Sequence, residues 1–277
     1  YYRLEVDAMR RDITLNALYC APDGTVIDPV SGITDLHARH VRFINDADMR
    51  IREDFLRILR FFRFYAWFGD PEQGIDADGL AACAANLDGL EGLAKERIQT
   101  ELIKTLLAPN PAPAMASMAM CGVLLRLLPG ADVSALAPLI SLQEQLGRSV
   151  NFHTRLAAIN PGDTKAWLRL SKADTLEFTR IRDGALSEID AAPLGYGLGQ
   201  NVAIEALMLR AALSGSLMTN VDIDAAKFGA AQNYPVKAKD LMPTYTRAAL
   251  GSRLKLLEST WIASGFTLTK PELLALP

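Results

Sequence analysis

One stretch of the sequence, residues 52–64, combines permanent positive charge with large apolar side chains. Four charged residues recur in it at every third position, which predicts a single row along one helix: Asp54, Arg57, Arg60 and Arg63. A guanidinium is always charged and presents a planar set of hydrogen-bond donors. Placing three guanidinium groups beside buried side chains therefore costs free energy unless they bind an anion or a planar hydrogen-bonding group. Nucleotides offer both groups. A solvated arginine stripe on an ordinary helix would have the same spacing and would need no ligand.

A second segment with possible chemistry is the arginine pair Arg10-Arg11, which precedes a short apolar run. Asp12 follows the pair and is predicted to cap a short helix that begins near Thr14. The free N–H groups and the dipole at such a helix start favour an anion, so the two arginines could hold a phosphate there. A basic pair ahead of a capped helix is also common without any ligand.

A third segment, residues 28–36, is rich in turn-forming residues. Pro29 and Gly32 predict a sharp chain reversal, and Thr34 or Asp35 is predicted to cap the helix that follows. Taken alone, this segment is equally compatible with an ordinary turn.

In this order and spacing, the three segments resemble the class II nucleotidyltransferase superfamily, specifically the CCA-adding tRNA nucleotidyltransferases and the bacterial poly(A) polymerases. A fourth segment, residues 96–104, matches as well. The positions that carry the resemblance are Arg10, Arg11, Asp12, Asn16, Asp28, Gly32, Asp35, Glu53, Asp54, Arg57, Arg60, Arg63, Glu96, Arg97, Glu101 and Lys104. Weaker similarity extends to the tail segments 228–242 and 254–274.

The resemblance implies a nucleotide-binding site built from seven residues: Arg11, Asp12, Asn16, Asp54, Arg57, Arg60 and Arg63. It also implies that Asp54 and Arg57 act as a protein template for the incoming CTP or ATP. Adenine and cytosine each place an amino donor beside a ring-nitrogen acceptor, so a carboxylate and an arginine fit both, whereas uracil and guanine present the opposite order. Arg11 would contact the triphosphate or the ribose.

Two further roles follow from the resemblance. Gly32 and Asp35 are expected at a hinge between head and neck, where a residue without Cβ would use backbone angles closed to other residues. Three charged residues are expected to give structural support to the template rather than to touch substrate: Glu53, Glu96 and Arg97.

The reaction that the resemblance implies is template-independent addition of C, C and A to tRNA 3′ ends from CTP and ATP, with Mg²⁺ as cofactor. Family members carry a glycine-rich segment and an Asp-x-Asp pair upstream of the arginine pair, and no residue before Arg10 matches either. We therefore expect no catalytic or metal-binding residue within these 277 residues, which would be inactive alone. A poly(A) polymerase of the same family and a noncatalytic RNA-binding remnant are the alternatives.

Composition favours a cytoplasmic globular chain without a membrane segment. Half of the residues are hydrophobic and 22% are charged. The scattered cysteines Cys20, Cys83 and Cys121 indicate reduced thiols rather than a disulfide frame or a zinc site. The net charge is −3, but residues 39–63 hold seven arginines against four acidic residues, a local positive excess that suits RNA. The longest apolar stretch, residues 111–125, is short for a membrane span.

The pattern along the chain predicts a mainly α fold. Residues 1–45 read as the end of an α/β head, with a hairpin around Asp23-Gly24 and a return strand over residues 41–44. Helical patterns follow without interruption by strands. The predicted segments are the head remnant (1–45), a neck with the nucleotide-templating helices (46–108), a helical body (109–192) and a helical tail (193–277).

Overall fold

Helices make up most of the computed structural model, which describes residues 2–159, 162 and 167–277. The mainly helical fold class predicted from the sequence is confirmed. The chain divides into two compact units, one formed by Tyr1–Phe178 with Ala212–Gly215 and the other by Thr179–Ala211 with Ser216–Pro277. The boundaries of the four segments named from the sequence stay predictions.

The first 45 residues contain a small β-hairpin among short helical elements. These elements are α1 (Tyr2–Ala8), a 3-10 turn (Thr14–Asn16), β1 (Tyr19–Cys20), β2 (Val26–Ile27) and α2 (Gly32–His37). The two strands pair antiparallel, with Tyr19 opposite Ile27. Gly24 has a φ of 87°, a conformation that glycine adopts without strain and that the tight turn requires. The predicted hairpin is therefore confirmed.

Two predictions for this part of the chain are wrong. Asp12 does not cap the short helical turn, because Ile13 is the residue that precedes it and no side chain supplies a cap. The Asp12 carboxylate is instead bound by an arginine from a later helix, as described below. The return strand expected over residues 41–44 reduces to an isolated bridge between Ile13 and Phe43.

The start of α2 also differs from the prediction. Thr34 and Asp35 lie inside this helix and do not cap it. The N-cap position is Ser31, which makes no capping bond with its side chain, and the Asp28 carboxylate instead accepts hydrogen bonds from the Gly32 N–H (2.8 Å) and from the following amide (2.9 Å). Ser31, just before the helix, takes the left-handed conformation with a φ of 62°.

Residues 46–108 fold into helices that surround one apolar core. The elements are α3 (Ala47–Glu53), α4 (Leu56–Phe68), α5 (Ala77–Ala85), a 3-10 segment (Leu87–Gly92) and α6 (Lys95–Leu106). Asp46 caps α3 by accepting from the Met49 N–H (2.8 Å), and Asp76 caps α5 in the same way. α4 packs against α6 and buries Phe61 and Phe62 completely, because its apolar residues recur on one face.

The single helix predicted through residues 52–64 is interrupted at Asp54. This residue has extended backbone angles (φ −156°, ψ 107°), so α3 ends before it and α4 begins two residues later. Its Oδ1 accepts a hydrogen bond from the Leu56 N–H (3.1 Å), which helps to start α4. Asp54 therefore stands at the head of the arginine row rather than within it.

The rest of the first unit is a set of short helices. These are α7 (Ala112–Met120), α8 (Val123–Leu127), α9 (Leu136–Gln145), α10 (Phe152–Ile159) and the start of α11 (Lys172–Leu186). Arg155 is buried in this set and donates to the carbonyl oxygens of Leu106 (2.7 Å) and Ala108 (2.6 Å). It thereby satisfies acceptors at the C-terminal end of α6. The proline and glycine at positions 161 and 162 predict an interruption between two helices over residues 160–163, which lie outside the described residues except for Gly162.

The second unit is helical as well. It contains most of α12 to α17: α12 (Ala191–Leu198), α13 (Gln200–Ser214), α14 (Asn220–Ala230), α15 (Ala238–Leu241), α16 (Arg247–Ala263) and α17 (Lys270–Leu274). Trp261 and Leu257 of α16 are buried in an apolar cluster with Leu273 of α17. In the described part of the chain, none of the helices has the length and apolar character needed to span a membrane.

Two glycines allow α12 and α14 to pack backbone against backbone. A Cβ added at Gly195 would overlap the carbonyl oxygen of Ala226, and one added at Gly229 would overlap that of Ala192. Neither neighbour is a flexible side chain, so neither can move aside. The close approach of these helices therefore requires glycine at both positions.

We expect Gly195→Ala to lower the free energy of unfolding by about 1–3 kcal/mol, because the added methyl group must push two helix backbones apart. Gly197→Ala is the matched control. Gly197 lies on the exposed side of the same helix with no atom near its missing Cβ, so this change should leave stability equal or higher by up to about 1 kcal/mol. Urea unfolding followed by circular dichroism measures both, and equal effects of the two changes would contradict the close packing.

Candidate functional site

A small pocket opens where the N-terminal segment meets α4 and α6. Its cavity measures ≈ 270 Å³ and is strongly polar. The lining residues come from three separate stretches of sequence: Arg10, Arg11, Asp12, Asn16, Asp54, Leu56, Arg57, Arg60 and Arg97. Six of the seven predicted nucleotide-binding residues are therefore brought together at one place.

Arg60 holds Asp12 in the wall of this pocket. The guanidinium binds both carboxylate oxygens, with its Nη2 donating to Oδ1 at 3.1 Å and its Nε donating to Oδ2. Asn16 adds a hydrogen bond from its Nδ2 to Oδ1 (3.2 Å). Burial on its own would raise the pKa of Asp12, but the hydrogen bonds and charge of Arg60, together with Asn16, hold this pKa below its usual value. Asp12 is only 3% exposed, so the bidentate pair fixes the segment around Asp12 to α4.

The Asp54 carboxylate is oriented by two partners. Its Oδ1 accepts from the Leu56 N–H, and its Oδ2 accepts from Nη2 of Arg97 at 2.7 Å. Each carboxylate oxygen can accept more than one hydrogen bond. Asp54 therefore keeps acceptor capacity for a donor that enters the pocket, while its side chain is held in one orientation.

Arg57 is anchored through the two terminal nitrogens of its guanidinium. Nη1 donates to the Glu53 carboxylate (2.5 Å) and to the Arg50 carbonyl oxygen (2.9 Å), and Nη2 donates to the Arg10 carbonyl oxygen (3.2 Å). The hydrogen bond from Arg57, with further bonds from Arg50, holds the pKa of Glu53 below its usual value. Since an arginine carries five donors, the Nε–H and the second Nη2 proton are available to a ligand.

The two N-terminal arginines differ in their surroundings. Arg11, which lies just beyond α1, pairs with Asp7 of that helix, with 3.0 Å between its Nη2 and the carboxylate. The exposed Arg10 guanidinium has no carboxylate partner among the described residues. Arg10 is therefore the more available cation for an anion in this pocket, although the sequence alone had pointed to Arg11.

Three other predicted site residues have different surroundings. Arg63 is absent from the pocket lining, because its Nε donates to the buried Glu101 carboxylate (2.5 Å). Glu96 faces Arg169 at 3.9 Å and makes no contact with the template residues in the described structure. Arg97, expected only to brace the site, is a wall of the pocket as well as the partner of Asp54.

The two expected hinge residues are packed tightly. A Cβ on Gly32 would lie 2.5 Å from the carbonyl oxygen of Thr14. The expectation that Gly32 uses backbone angles closed to other residues is wrong, since its φ lies outside the left-handed region. Asp35 is buried and accepts a hydrogen bond from Nε of Arg42 (2.8 Å). Gly32 is required by close packing against the 3-10 turn, and the hinge role stays a prediction.

The carboxylates of the pocket do not fit a magnesium site. Asp12 is bound by Arg60 and Asp54 is bound by Arg97, so neither offers a free pair of oxygens to a metal ion. Within the described residues, no group of three or more histidine, cysteine or acidic side chains comes together that could hold a metal ion.

Comparisons with known proteins place this pocket in context. The chain matches two family models: the poly A polymerase head domain over residues 1–42, and the probable RNA and SrmB-binding site of polymerase A over residues 74–134. It is similar to the human mitochondrial CCA tRNA nucleotidyltransferase 1, with 47% identity over 100 residues, which are 36% of this chain and 23% of the human protein. It is also similar to the multifunctional CCA protein of Azoarcus sp. strain BH72, with 40% identity over 129 residues.

The match to the Azoarcus protein covers 47% of this chain and 31% of that protein. The chain therefore spans less than a third of the length of these curated relatives.

Solved structures share its fold. The Bacillus stearothermophilus CCA-adding enzyme in complex with CTP has a TM-score of 0.70 at 24% identity, over 95% of this chain and 70% of that one. The Thermotoga maritima CCA-adding enzyme complexed with tRNA has a TM-score of 0.65 at 19% identity, over 98% and 72%.

We expect Asp12→Asn to lower the free energy of unfolding by about 1–3 kcal/mol at neutral pH, because Arg60 would lose its charged partner in a largely buried position. The folded-state pKa of Asp12 is depressed, so its contribution to stability is complete above 3.8 and is lost as the pH falls through the lower folded value. Below about pH 4, the free energy of unfolding should therefore fall less steeply with decreasing pH in Asp12→Asn than in the wild type. Urea unfolding at several pH values measures this difference.

The control for this experiment is Asp88→Asn. Asp88 forms a solvent-exposed ion pair with Arg126 in the same unit, and such pairs contribute little to stability. An Asp12→Asn protein with the stability and acid sensitivity of the control would contradict the structural importance of the Asp12–Arg60 pair.

Proposed function

We propose that the chain belongs to the class II nucleotidyltransferase superfamily, in the branch of CCA-adding enzymes and poly(A) polymerases, and that it serves in adding C, C and A to tRNA 3′ ends. The observation that carries the proposal is the polar pocket that joins Asp54 and Arg57 to the arginine pair of the N-terminal segment. Relatives that are named CCA tRNA nucleotidyltransferases and CCA proteins agree with it.

The proposed template is the pair Asp54 and Arg57. The spare acceptor capacity of Asp54 suits the amino group of adenine or cytosine, and the free donors of Arg57 suit the neighbouring ring nitrogen. Arg97 and Glu53 hold these two side chains in place. Selection would then depend on two oriented hydrogen bonds rather than on the size of the base.

The anionic part of the nucleotide is assigned to the arginine pair. Arg10 and Arg11 lie in the same pocket as the template residues, and guanidinium groups bind phosphate oxygens with paired hydrogen bonds. Arg60 and Asn16 support this wall by fixing Asp12 between them. In this proposal Arg63 acts at a distance, through its ion pair with Glu101.

The partners proposed for the chain are the tRNA 3′ end, CTP and ATP. CCA-adding enzymes of similar fold form complexes with CTP, ATP and tRNA. A requirement for Mg²⁺ is proposed from the family resemblance alone, and no step is assigned to the ion because the pocket carboxylates of Asp12 and Asp54 do not fit it. A cytoplasmic location is proposed from the three free cysteines. Hinge movement at Gly32 and Asp35 is part of the same proposal.

The proposal is tested by supplying the full-length enzyme with a tRNA that lacks its terminal CCA. We expect two C additions from CTP followed by a single A addition from ATP, because the same oriented pair accepts both bases. Sequencing of the 3′ ends measures the product. Long runs of A with no use of CTP would instead identify a poly(A) polymerase, and binding of tRNA without any addition would identify a noncatalytic RNA-binding protein.

We expect Asp54→Ala and Arg57→Ala to reduce selection of CTP and ATP over UTP and GTP as well as the rate of addition. Removing one arm of a two-armed hydrogen-bonding site leaves the other mispaired, which costs about 1–3 kcal/mol of discrimination. The measurement is the ratio of kcat/KM for correct and incorrect nucleotides. Arg52→Ala, which removes an exposed arginine paired with Asp48, is the control. Unchanged selectivity in both pocket variants would refute the template assignment.

A further inference from the structure

Arg50 lies on α3, outside the set of residues that line the pocket, and is linked to the template arginine in two ways. Its Nη1 donates to both carboxylate oxygens of Glu53, at 3.0 Å each. The Oε2 atom of Glu53 in turn accepts from Nη1 of Arg57 at 2.5 Å. The Arg50 carbonyl oxygen accepts from the same Nη1 at 2.9 Å. One residue behind the pocket therefore controls both acceptors of this nitrogen.

The Glu53 carboxylate is shared between two guanidinium groups that have little contact with water. The Arg50 side chain is 15% exposed and the Arg57 side chain is 16% exposed. Charged groups in such surroundings need protein partners to replace the water that they have lost. The hydrogen bond from Arg57, followed by the hydrogen bond and charge of Arg50, holds the pKa of Glu53 below its usual value. Glu53 is therefore a carboxylate at neutral pH, and each arginine competes for it.

The stability of α3 does not explain this arrangement. Glu53 is the last residue of α3, where a negative charge meets the negative end of the helix dipole. Arg50 precedes Glu53 by three residues, which is the less favourable order for an ion pair along a helix. The consequence of the pair lies instead beyond the end of α3, at the arginine of α4 that Glu53 contacts.

Arg50 restricts the donors of Arg57 that Glu53 can occupy. A carboxylate beside a single guanidinium commonly accepts two parallel hydrogen bonds from two of its nitrogens. Here both oxygens of Glu53 are bound by Arg50, and Oε2 reaches Arg57 at Nη1 alone in the described structure. The Nε–H of Arg57 and one Nη2 proton are left for a base. Without Arg50, Glu53 would turn to bind two nitrogens of Arg57 and would occupy a donor that the base needs.

The loss of that donor would change nucleotide selection in two directions. Cytosine and adenine present a ring-nitrogen acceptor to Arg57, whereas uracil and guanine present a ring N–H. An available Arg57 donor therefore favours the first two bases and leaves two donors facing each other, both unsatisfied, with the other two. Occupation of the donor by Glu53 would weaken binding of the correct bases and relieve the mismatch with the incorrect ones.

We propose that Arg50 is a positioning residue for nucleotide selection, which keeps Glu53 on Nη1 of Arg57 and so leaves the base-facing donors of Arg57 free. This inference rests on the proposed function, because it names a residue that prepares the template arginine for CTP and ATP. Arg50 contacts no substrate and acts through Glu53.

The test compares kcat/KM for CTP and UTP, using the full-length enzyme and a tRNA that lacks CCA. Arg50→Met keeps an apolar stem and removes the charge, and we expect it to lower the preference for CTP over UTP by about tenfold, as for the loss of coupling within one ion-pair network. Arg50→Gln should have the same effect. Arg50→Lys should restore most of the preference, because a single nitrogen of Arg50 makes both bonds to Glu53 and lysine supplies one charged nitrogen.

The matched control is Arg52→Met, which removes an exposed arginine of the same helix that pairs with Asp48. This variant should keep the wild-type preference. A preference for CTP that is unchanged in both Arg50→Met and Arg50→Gln would overturn the proposal, and so would an equal loss in the control.

A second comparison separates an effect on Glu53 from a general role in the fold. In a Glu53→Gln background no carboxylate competes for Arg57, so adding Arg50→Met should change the preference by less than about twofold. An equal loss in both backgrounds, or a failure of both Arg50→Met and Arg50→Gln to fold in urea titrations, would assign Arg50 to the stability of α3 and overturn the proposal. A wild-type enzyme that adds no nucleotide to the tRNA would refute the proposed function, and this inference with it.

Discussion

The ion pair between Asp12 and Arg60 is the contact on which the candidate site depends. Asp12 is almost completely buried, and a carboxylate in that position is costly unless a charged donor satisfies it. Arg60 supplies both hydrogen bonds from the middle of α4. The pair therefore sets the position of Arg10 and Arg11 relative to Asp54, which lies just before the same helix. Arg57 adds a second link between the two halves of the pocket, because its Nη2 donates to the Arg10 carbonyl oxygen.

The position of Asp54 outside the helix gives it a role that a helical residue could not have. In the middle of a helix, its carboxylate would project from the helix surface, and the backbone N–H groups next to it would be bonded within the helix. At the interruption between α3 and α4 it is held from two directions, by the Leu56 amide and by Arg97. A side chain held at two points loses little further freedom when a ligand binds, so its acceptor atoms are already oriented for a base. The interruption is in this sense part of the site.

α4 combines two demands that conflict in most helices. One side carries Phe61 and Phe62, which are fully buried, and the other carries three arginines, whose charge must stay satisfied. Each arginine meets a different carboxylate: Arg57 meets Glu53, Arg60 meets Asp12 and Arg63 meets Glu101. The stems of these side chains cover apolar surface while their charged ends reach the partners. A row that looks uniform in sequence therefore has three distinct local environments.

The sequence by itself determined the mainly helical fold, the hairpin around Gly24 and the resemblance to the class II nucleotidyltransferases, because spacing and turn residues act locally. It also identified most residues of the pocket. Only the tertiary structure decided that Asp12 binds Arg60 rather than capping a helix and that the helix is interrupted at Asp54. It also decided that Arg11 has a carboxylate partner whereas Arg10 has none among the described residues. The physical reason is that the periodicity of a sequence shows which face of one helix or strand is buried. The partner of a charged side chain depends instead on which distant element of the chain packs against it and excludes water.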